Sequence, residues 1–251
     1  MVPRYSMMLI IISSRFYMTR IKQLFTQAFT HAMARNKQNI LDLCDKDPDA
    51  TVVDLGCDDG AWTEELIHKI GTKDVYGIDV ITERMKEATK KGIKTVEGNL
   101  NDPLPYPDNK FDVVHANQVI EHLADLDLFV SEVKRILKPG GYCIISTENA
   151  SSWHNLFAAL FGWQIFSLTN VSRKYAAIGN PLAIHHGEQL HMPADSWTHK
   201  TIFNYRGLKD LFKAYGFKNV TVTGAGYYPL FAGVGRIDPR HAHFITLKAY
   251  K

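Results

Sequence analysis

Short apolar runs alternate with amphipathic helical patterns between Thr51 and Ser146, and this alternation constrains the fold more than any other feature of the chain. The apolar runs have the length of buried strands, whereas the segments between them repeat apolar residues at helical spacing. Strands that alternate with helices predict an α/β fold with a parallel, doubly wound sheet. The predicted strands are Thr51–Leu55, Val75–Ile78, Ile93–Glu97, Phe111–Ala116 and Tyr142–Ser146.

Helices are expected between these strands. One is predicted around Trp62–Ile70 and another at Thr82–Lys90. A third begins near Leu126, includes Leu137 and stops at Pro139-Gly140-Gly141. Regular elements resume late in the chain, with a helix through Leu208 and Tyr215, a strand at Val220–Val222, and a final run, His243–Ala249, that can form an edge strand.

The chain divides into a predicted helical leader, residues 1–48, and one larger domain, residues 49–251. Residues 18–46 carry apolar side chains at helical spacing and predict one helix or a pair. Within the larger domain, residues 149–204 interrupt the alternation and are rich in aromatic residues. Three interpretations of this insert stay open: a lid packed on the core, an aromatic acceptor pocket, or a helix at a membrane surface, which would lack the expected basic face. Its aromatic residues include Trp153, Phe157, Phe161, Trp163, Phe166, Tyr175 and Trp197.

Composition narrows the class of protein. A formal net charge of +3 is a weak basic bias, and it argues against a nucleic-acid partner. Three cysteines without a paired spacing favour a reducing, cytoplasmic compartment. The apolar run Met7–Ile12 is too short to span a membrane, so no stable membrane insertion is expected. A native start at Met18 is one interpretation, in which residues 1–17 are not part of the protein.

A glycine-containing turn follows the first predicted strand. The segment Val52–Gly60 reads as a buried strand, a turn and the start of a helix, and such a turn at the carboxyl end of a strand is where ligands bind in open α/β sheets. Asp79 lies 19 residues after Gly60, at the end of the second strand. A carboxylate there can accept hydrogen bonds from two ribose hydroxyls, although it can also serve as a helix cap. Together the two features indicate a nucleoside-containing cofactor.

The turn does not fit a dinucleotide well. Asp58 stands where the second glycine of the dinucleotide fingerprint would be, and Asp59 follows it. Two carboxylates would repel a pyrophosphate, whereas the sulfonium and zwitterion of S-adenosylmethionine raise no such conflict. Charge therefore favours S-adenosylmethionine over NAD.

Five ordered motifs give the chain a family resemblance. They are D-L-G-C-x-x-G, then G-I-D, then E-G-N-L with L-P-Y, then F-D-V-V-H-A-N-Q-V-I-E-H-L, and last L-K-P-G-G. This series resembles the class I S-adenosylmethionine-dependent methyltransferases, and it is similar to the small-molecule group that includes ubiquinone-pathway O-methyltransferases. The resemblance implies a Rossmann-like sheet of order 3-2-1-4-5-7-6 with an antiparallel last strand, capped by the leader and by the insert.

The resemblance also implies a cofactor site. The methionine portion would be lined by Asp54, Gly56, Cys57 and Gly60. The adenosine would be held by Asp79 at the ribose, by Val80 against the adenine, and by Asn99 and Leu100 where the family usually has an acid for the adenine amino group. The sulfonium would lie beside Asn117 and Gln118. Asp58 replaces the family's commoner glycine and makes the shape of the turn uncertain.

Histidines are candidates for proton transfer, because an oxygen acceptor loses a proton on methylation and imidazole titrates in the right range. His199, near the end of the insert, is a candidate general base, and His122 is a second candidate; each can instead be a structural or surface residue. Some ubiquinone-pathway relatives carry E-x-x-E-H, associated with a divalent metal, where this chain has Gln118 in place of the first acid. We therefore expect no metal ion.

These features predict an enzyme that methylates a small-molecule acceptor, with O-methylation favoured. The acceptor itself is not identified by the sequence. The alternative is a non-catalytic subunit that binds S-adenosylmethionine and supports a partner enzyme.

Overall fold

A computed structural model describes the backbone of residues 4–183, 187–188, 198–228 and 230–251, and side chains from residue 23 onward within these ranges, except at 187 and 188. The helices are α1 Arg4–Leu43, α2 Ala61–Ile70, α3 Thr82–Lys90, α4 Leu126–Ile136, α5 Trp153–Leu160 and α6 Tyr205–Ala214. The strands are β1 Thr51–Leu55, β2 Asp74–Asp79, β3 Lys94–Glu97, β4 Phe111–Asn117, β5 Leu137–Glu148, β6 Tyr175–Ala176, β7 Gly187–Glu188, β8 Lys218–Ala225 and β9 Phe244–Tyr250. Short 3-10 helices occupy Ile120–His122, Phe166–Leu168 and Ala232–Arg236.

Seven strands form one sheet in the order β3-β2-β1-β4-β5-β9-β8. The pairings from β3 through to β5 are parallel, and β9 is antiparallel to both of its neighbours. This confirms the α/β, Rossmann-like sheet, its predicted order and its antiparallel last strand. The β6–β7 pair forms a separate two-stranded sheet within the insert.

The expectation that the final strand lies at an edge is wrong. β9 lies between β5 and β8, and β8 is the edge strand on that side. All residues from Phe244 to Ala249 are buried. A run that is apolar or buried on both faces is typical of an internal strand, whereas an edge strand usually alternates.

The boundary between α4 and β5 also differs from the prediction. α4 ends at Ile136, and Leu137 already begins β5, where it pairs with Phe111. Leu137 has an extended backbone with φ −68° and ψ 139°. Pro139 disfavours helix in the residue that precedes it, so the helix ends before the Pro-Gly-Gly segment instead of at it. The strand then runs through that segment with a register shift.

The leader is one helix, and its second half belongs to the core. Ile40 is fully buried in the cluster that covers one face of the sheet. Nearer the middle of α1, Ala32 packs with Phe244 of β9 in a second, smaller cluster, and Phe29 packs against this second cluster. The described residues contain no helix that is long and apolar enough to cross a membrane.

The insert leaves the sheet and returns beside its point of departure. The backbone of Asn149 forms a parallel bridge with Phe203, and its side chain donates to the carbonyls of Arg240 and Ala242. The apolar face of α5 points outward, and Leu160 is 82% exposed, so this part of the insert does not pack on the core as a lid would. The rings of Phe157, Phe161 and Trp163 pack on one another. Trp197 lies outside the described residues.

Candidate active site

The turn after β1 brings backbone close to its neighbours. Gly56 and Gly60 have φ of +83° and +75°, in the left-handed region that favours glycine. A Cβ on Gly56 would lie 2.7 Å from Cγ2 of Val119, and one on Gly60 would lie 2.9 Å from Cα of Ala88. Both glycines are thus required by close packing as well as by conformation.

Asp58 lies in the same turn with φ +51°. Aspartate tolerates the left-handed region better than most residues, which explains how it can stand where the family usually has glycine. Its carboxylate forms an ion pair with Arg84 of α3, and Arg84 also lies 3.7 Å from Asp59. The charge argument against a pyrophosphate is therefore weaker than the sequence suggested, because Arg84 offsets part of the negative charge.

Asp79 is oriented by two backbone amides. Its Oδ2 accepts from the Asp58 N–H and its Oδ1 accepts from the Ile81 N–H, both at 2.9 Å. The residue that caps α3 is Ile81, without a side-chain bond, so Asp79 does not cap the helix. Each carboxylate oxygen keeps a further lone pair, which leaves Asp79 able to accept from two hydroxyls.

Two residues expected around the methionine portion direct their side chains into the protein. The buried carboxylate of Asp54 accepts from the Thr63 hydroxyl at 2.6 Å and lies 2.7 Å from Nδ1 of His115. Cys57 is 3% exposed and its Sγ lies 2.6 Å from where a Cβ on Gly77 would be. Burial raises the pKa of this thiol to about 12. The side chains of Asp54 and Cys57 therefore contact other parts of the protein and stabilise the turn. Only the backbone of these two residues is available to contact a ligand.

The residues expected near adenine lie at the ends of β2 and β3. Val80 follows β2 and is 44% exposed, so part of its apolar side chain faces solvent. Asn99 is exposed, and its side-chain oxygen accepts from the backbone and side-chain nitrogens of Asn101, each at 3.0 Å. Leu100 is buried. The Asn99 oxygen is thus partly engaged within the protein.

Asn117 and Gln118 end β4 next to α1. The Asn36 side chain donates to Oδ1 of Asn117 at 3.2 Å. Gln118 has φ +56°, and its backbone N–H donates to the Ser146 carbonyl at 2.8 Å. The sequence did not identify Asn36, because a single asparagine within an amphipathic helix gives no signal of its tertiary partner.

Gln118 lines a cavity of about 290 Å³. It lies between the end of β4, helix α1, the insert and the segment before β9. Its lining residues are Phe25, Phe29, Met33, Gln118, Glu121, His122, Glu148, His154, Phe166, Thr169, Asn170, Ala183, His199, Tyr228 and His243. The insert supplies several of these, which supports the pocket interpretation for part of the segment; Trp153 and Trp163 are outside this lining.

Buried polar atoms without a partner concentrate at this cavity. Among the described side chains, five such atoms are found, and three of them are Nε2 of Gln118, Oε1 of Glu121 and Nδ1 of His154. All three residues line the cavity. Native proteins leave few buried polar groups unpaired, so a cluster of them marks a place where a ligand would complete the hydrogen bonding.

Glu121, His122 and His199 lie together at one side of the cavity. One candidate ligand atom from each residue lies within 4.8 Å of the others, and the two imidazole rings meet edge to face with centroids 4.7 Å apart. Burial raises the pKa of Glu121 to about 8, while burial and the neighbouring His199 lower the pKa of His122 to about 4. The structure thus brings both candidate catalytic histidines together and adds a buried acid that the sequence did not single out as a partner.

Several lining residues, among them Phe25, Phe29, Tyr228 and His243, were missed because they are far apart in the chain. Phe25 and Phe29 belong to the apolar stripe of α1 and looked like ordinary core residues. His154, His243 and Tyr228 pack as a ring cluster, with the two histidine centroids 4.3 Å apart. Burial lowers the pKa of His154 to about 3 and that of His243 well below its usual value.

Comparisons with known proteins identify the family and the fold. A family profile described as a methyltransferase domain matches residues 24–222. The ubiquinone biosynthesis O-methyltransferase of Psychrobacter cryohalolentis is 33% identical over 118 residues, which cover 43% of this chain and 44% of that protein. The demethylmenaquinone methyltransferase of Listeria welshimeri is 32% identical over 121 residues, covering 44% and 51%. The chain thus spans about half the length of the curated relatives it matches.

The fold is shared with solved structures. An S-adenosylmethionine-dependent methyltransferase from Thermotoga maritima matches over 96% of this chain and 95% of its own, with a TM-score of 0.57 and 17% identity. At that identity the likeness establishes the fold, and the family profile, which covers most of the chain, establishes the family. The chain belongs to the methyltransferase-domain family and, within it, to the class I S-adenosylmethionine-dependent methyltransferases.

Proposed function

We propose that this protein transfers the methyl group of S-adenosylmethionine to a hydroxyl oxygen of a small-molecule acceptor bound in the cavity. The observation that carries this proposal is the set of three unpartnered buried polar atoms, on Gln118, Glu121 and His154, around a cavity that is also lined by aromatic and aliphatic side chains. Pockets for small molecules are mostly apolar with a few placed polar groups. The reaction type is supported by family membership.

The cofactor would lie along the carboxyl ends of β1, β2 and β4. Asp79 would accept from the two ribose hydroxyls, and the exposed face of Val80 would lie against the adenine. The adenine amino group would meet the Asn99–Leu100 segment. The backbone of the turn from Asp54 through Gly56 and Cys57 to Gly60 would contact the methionine portion.

The methyl group would enter the cavity beside Asn117 and Gln118. Gln118 is the expected cofactor residue that also lines the cavity, so it marks the border between the two ligands. Methyl transfer is a displacement at carbon: the acceptor oxygen forms the new bond as the sulfonium–carbon bond breaks, and S-adenosylhomocysteine leaves. Holding the two reactants in line and excluding water supplies most of the acceleration.

An acceptor hydroxyl must also lose its proton. Nδ1 of His122 lies 3.2 Å from the Thr198 carbonyl, and Nδ1 of His199 lies 2.6 Å from the Ser167 carbonyl. A carbonyl only accepts, so Nδ1–H donates in both rings and Nε2 keeps its lone pair. These lone pairs can act on the proton directly or through a bound cation. O-methylation is further supported by the name of the Psychrobacter relative.

An acceptor screen tests the proposal. The protein is incubated with S-adenosylmethionine labelled in the methyl group and with compounds that offer hydroxyl, amine or carbon acceptors, and products are identified by mass spectrometry. We expect label in a hydroxyl-bearing compound together with an equal amount of S-adenosylhomocysteine. A methylated amine or carbon would contradict the choice of oxygen. Cofactor binding without turnover of any compound would favour the non-catalytic subunit.

A further inference from the structure

Two imidazoles and one carboxylate converge beside the cavity, and this donor set is one that proteins use for divalent cations. The candidate ligand atoms of Glu121, His122 and His199 lie within 4.8 Å of one another. Two histidines and one carboxylate, with a position left open, bind Zn²⁺ in hydrolytic enzymes and Fe²⁺ in oxygenases. The first two residues are adjacent in sequence, whereas His199 comes from the far end of the insert.

Both histidines are held in the tautomer that a cation requires. Each ring donates its Nδ1–H to a backbone carbonyl, that of Thr198 for His122 and that of Ser167 for His199. The Nε2 atoms are consequently left with lone pairs. Histidines that bind metals nearly always donate their second ring nitrogen in this way, which fixes the ring orientation and raises the basicity of the ligand atom.

Only one of the two oxygens of the Glu121 carboxylate has a hydrogen-bond partner among the described residues. Oε2 of Glu121 accepts from the Thr147 hydroxyl at 2.9 Å, whereas Oε1 is buried and has no partner among the described residues. Leaving a buried oxygen unpaired is unfavourable, because the oxygen has lost its hydrogen bonds to water and gained none in return. A cation at the cluster would give Oε1 the partner that the protein does not supply.

The backbone fixes the distance between the two segments. The N–H groups of Lys200 and Thr201 donate to the carbonyl of Glu121 at 2.8 and 3.2 Å. The residue that follows His199 is thereby attached to the residue that precedes His122. Ligands placed by such a frame converge before any cation binds, which reduces the ordering needed on binding.

We propose that Glu121, His122 and His199 bind one divalent cation and leave a coordination position open toward the cavity. Zn²⁺ is the cation with which this proposal is tested. The sequence led us to expect no metal, because Gln118 replaces an acid; the structure supplies His199 as a ligand instead. The cation would polarise the acceptor hydroxyl, and this role rests on the proposed function, whereas binding itself does not.

The test uses untagged full-length protein treated with a chelator and then titrated with Zn²⁺ by calorimetry and with Co²⁺ by visible absorption. We expect one equivalent of each ion to bind, with Co²⁺ giving ligand-field bands. His199→Ala and Glu121→Gln should each weaken Zn²⁺ binding at least tenfold. His68→Ala removes an exposed histidine of α2 and serves as the matched control, which should bind as the unaltered protein does. Titration with S-adenosylhomocysteine checks that each variant is folded.

The outcomes separate this inference from the proposed function. If the unaltered protein binds S-adenosylhomocysteine but takes up neither ion, the cation site is refuted and methyl transfer still stands. Ion binding that persists equally in His199→Ala and Glu121→Gln also refutes it, because the ion then lies elsewhere. Loss of binding in these two variants alone supports the site, even if the acceptor screen finds no substrate.

Discussion

The side-chain amide of Asn36 in α1 donates to the side-chain oxygen of Asn117 at the end of β4, and the two atoms are 3.2 Å apart. The same amide donates to the Ser146 hydroxyl at 2.8 Å, and the Asn36 oxygen accepts from the Thr246 hydroxyl at 2.9 Å. Asn36 is 1% exposed. The leader helix is therefore joined by a buried polar network to three strands of the sheet, at the place where the methyl group is proposed to enter.

Asn36→Leu should destabilise the protein and weaken cofactor binding. The substitution removes the Asn36 amide from a buried network and leaves the Asn117 oxygen without this donor, which should lower the free energy of unfolding by about 1–3 kcal/mol. Urea denaturation measures the first effect and calorimetry with S-adenosylhomocysteine the second. Gln38→Leu, on the exposed side of the same helix, is the control. Equal stability of the two variants would contradict the role given to the network.

Asp79→Ala should weaken S-adenosylmethionine binding by about 1.5–3 kcal/mol, the range for hydrogen bonds to charged groups. The fold should persist, because the carboxylate is only partly buried and its internal bonds are to two turn amides. Calorimetry gives the affinity. The control is Glu83→Ala, which removes an exposed acid of α3 that pairs with Lys86. Unchanged affinity in folded Asp79→Ala would place the cofactor elsewhere.

Gly56→Ala should be more damaging than Gly92→Ala. Both glycines have φ +83°, so each substitution carries the same left-handed strain of about 1–2 kcal/mol. Only at Gly56 does the new Cβ also meet a neighbour, 2.7 Å from Val119, because Gly92 has nothing within 4 Å. Comparison of the two by thermal unfolding and cofactor binding isolates the close approach. Equal losses of stability and of cofactor affinity in the two variants would mean that the turn at Gly56 tolerates a side chain.

Stability should fall in acid because of the buried histidines. The pKa of His154 is lowered to about 3 by burial, whereas in the unfolded chain it is about 6.5. The unfolded state therefore binds protons first, and stability that is complete above about pH 6.5 is lost as the pH falls toward 3, at up to about 1.4 kcal/mol per pH unit for one histidine.

His154→Phe tests this origin. Phenylalanine keeps an aromatic ring in place and removes the titrating group, so the loss of stability between pH 7 and pH 5 should be smaller than in the unaltered protein. Urea denaturation at the two pH values gives the comparison. An identical loss in both proteins would assign the acid sensitivity to other groups.

Phe166→Ala should raise the KM for the acceptor found in the screen and leave S-adenosylhomocysteine affinity nearly unchanged. Phe166 lines the cavity and lies at the ring cluster of Phe25 and His154. Trp163→Ala is the matched control from the same insert, since Trp163 packs on Phe157 and Phe161 outside the cavity lining. If Trp163→Ala raised the KM for the acceptor more than Phe166→Ala did, this would contradict the proposal that the acceptor binds in the cavity.

The sheet could be predicted from the sequence almost entirely, and the errors in that prediction have local causes. Most strands from Thr51 to Ser146 carry short, mainly apolar runs, and these indicate buried parallel strands without reference to the rest of the chain; β3, with the sequence Lys-Thr-Val-Glu, is the exception. The terminal run was assigned to an edge because the sequence does not say which neighbours a strand will have. The early end of α4 follows from Pro139, whose effect falls on the residues before it.

The insert could not be predicted at the same level. Its aromatic residues left a lid, an acceptor pocket and a membrane-surface helix open. Leu160 and Phe161 are exposed, and the insert contributes other residues to the cavity, including His154, Phe166 and His199. Spacing identifies which side chains share a face. Whether that face meets the core depends on the connection at each end, here the bridge between Asn149 and Phe203.

The sequence by itself determined the family fold and the position of the cofactor motifs, because the turn from Gly56 to Gly60 and the carboxylate of Asp79 lie within one strand–helix–strand unit. Only the tertiary structure decided the cavity beside Gln118 and the cluster of Glu121, His122 and His199. The residues that line the cavity come from segments as far apart as Phe25 and His243. Side chains so distant in sequence leave no shared pattern until packing of the sheet, the leader helix and the insert brings them together.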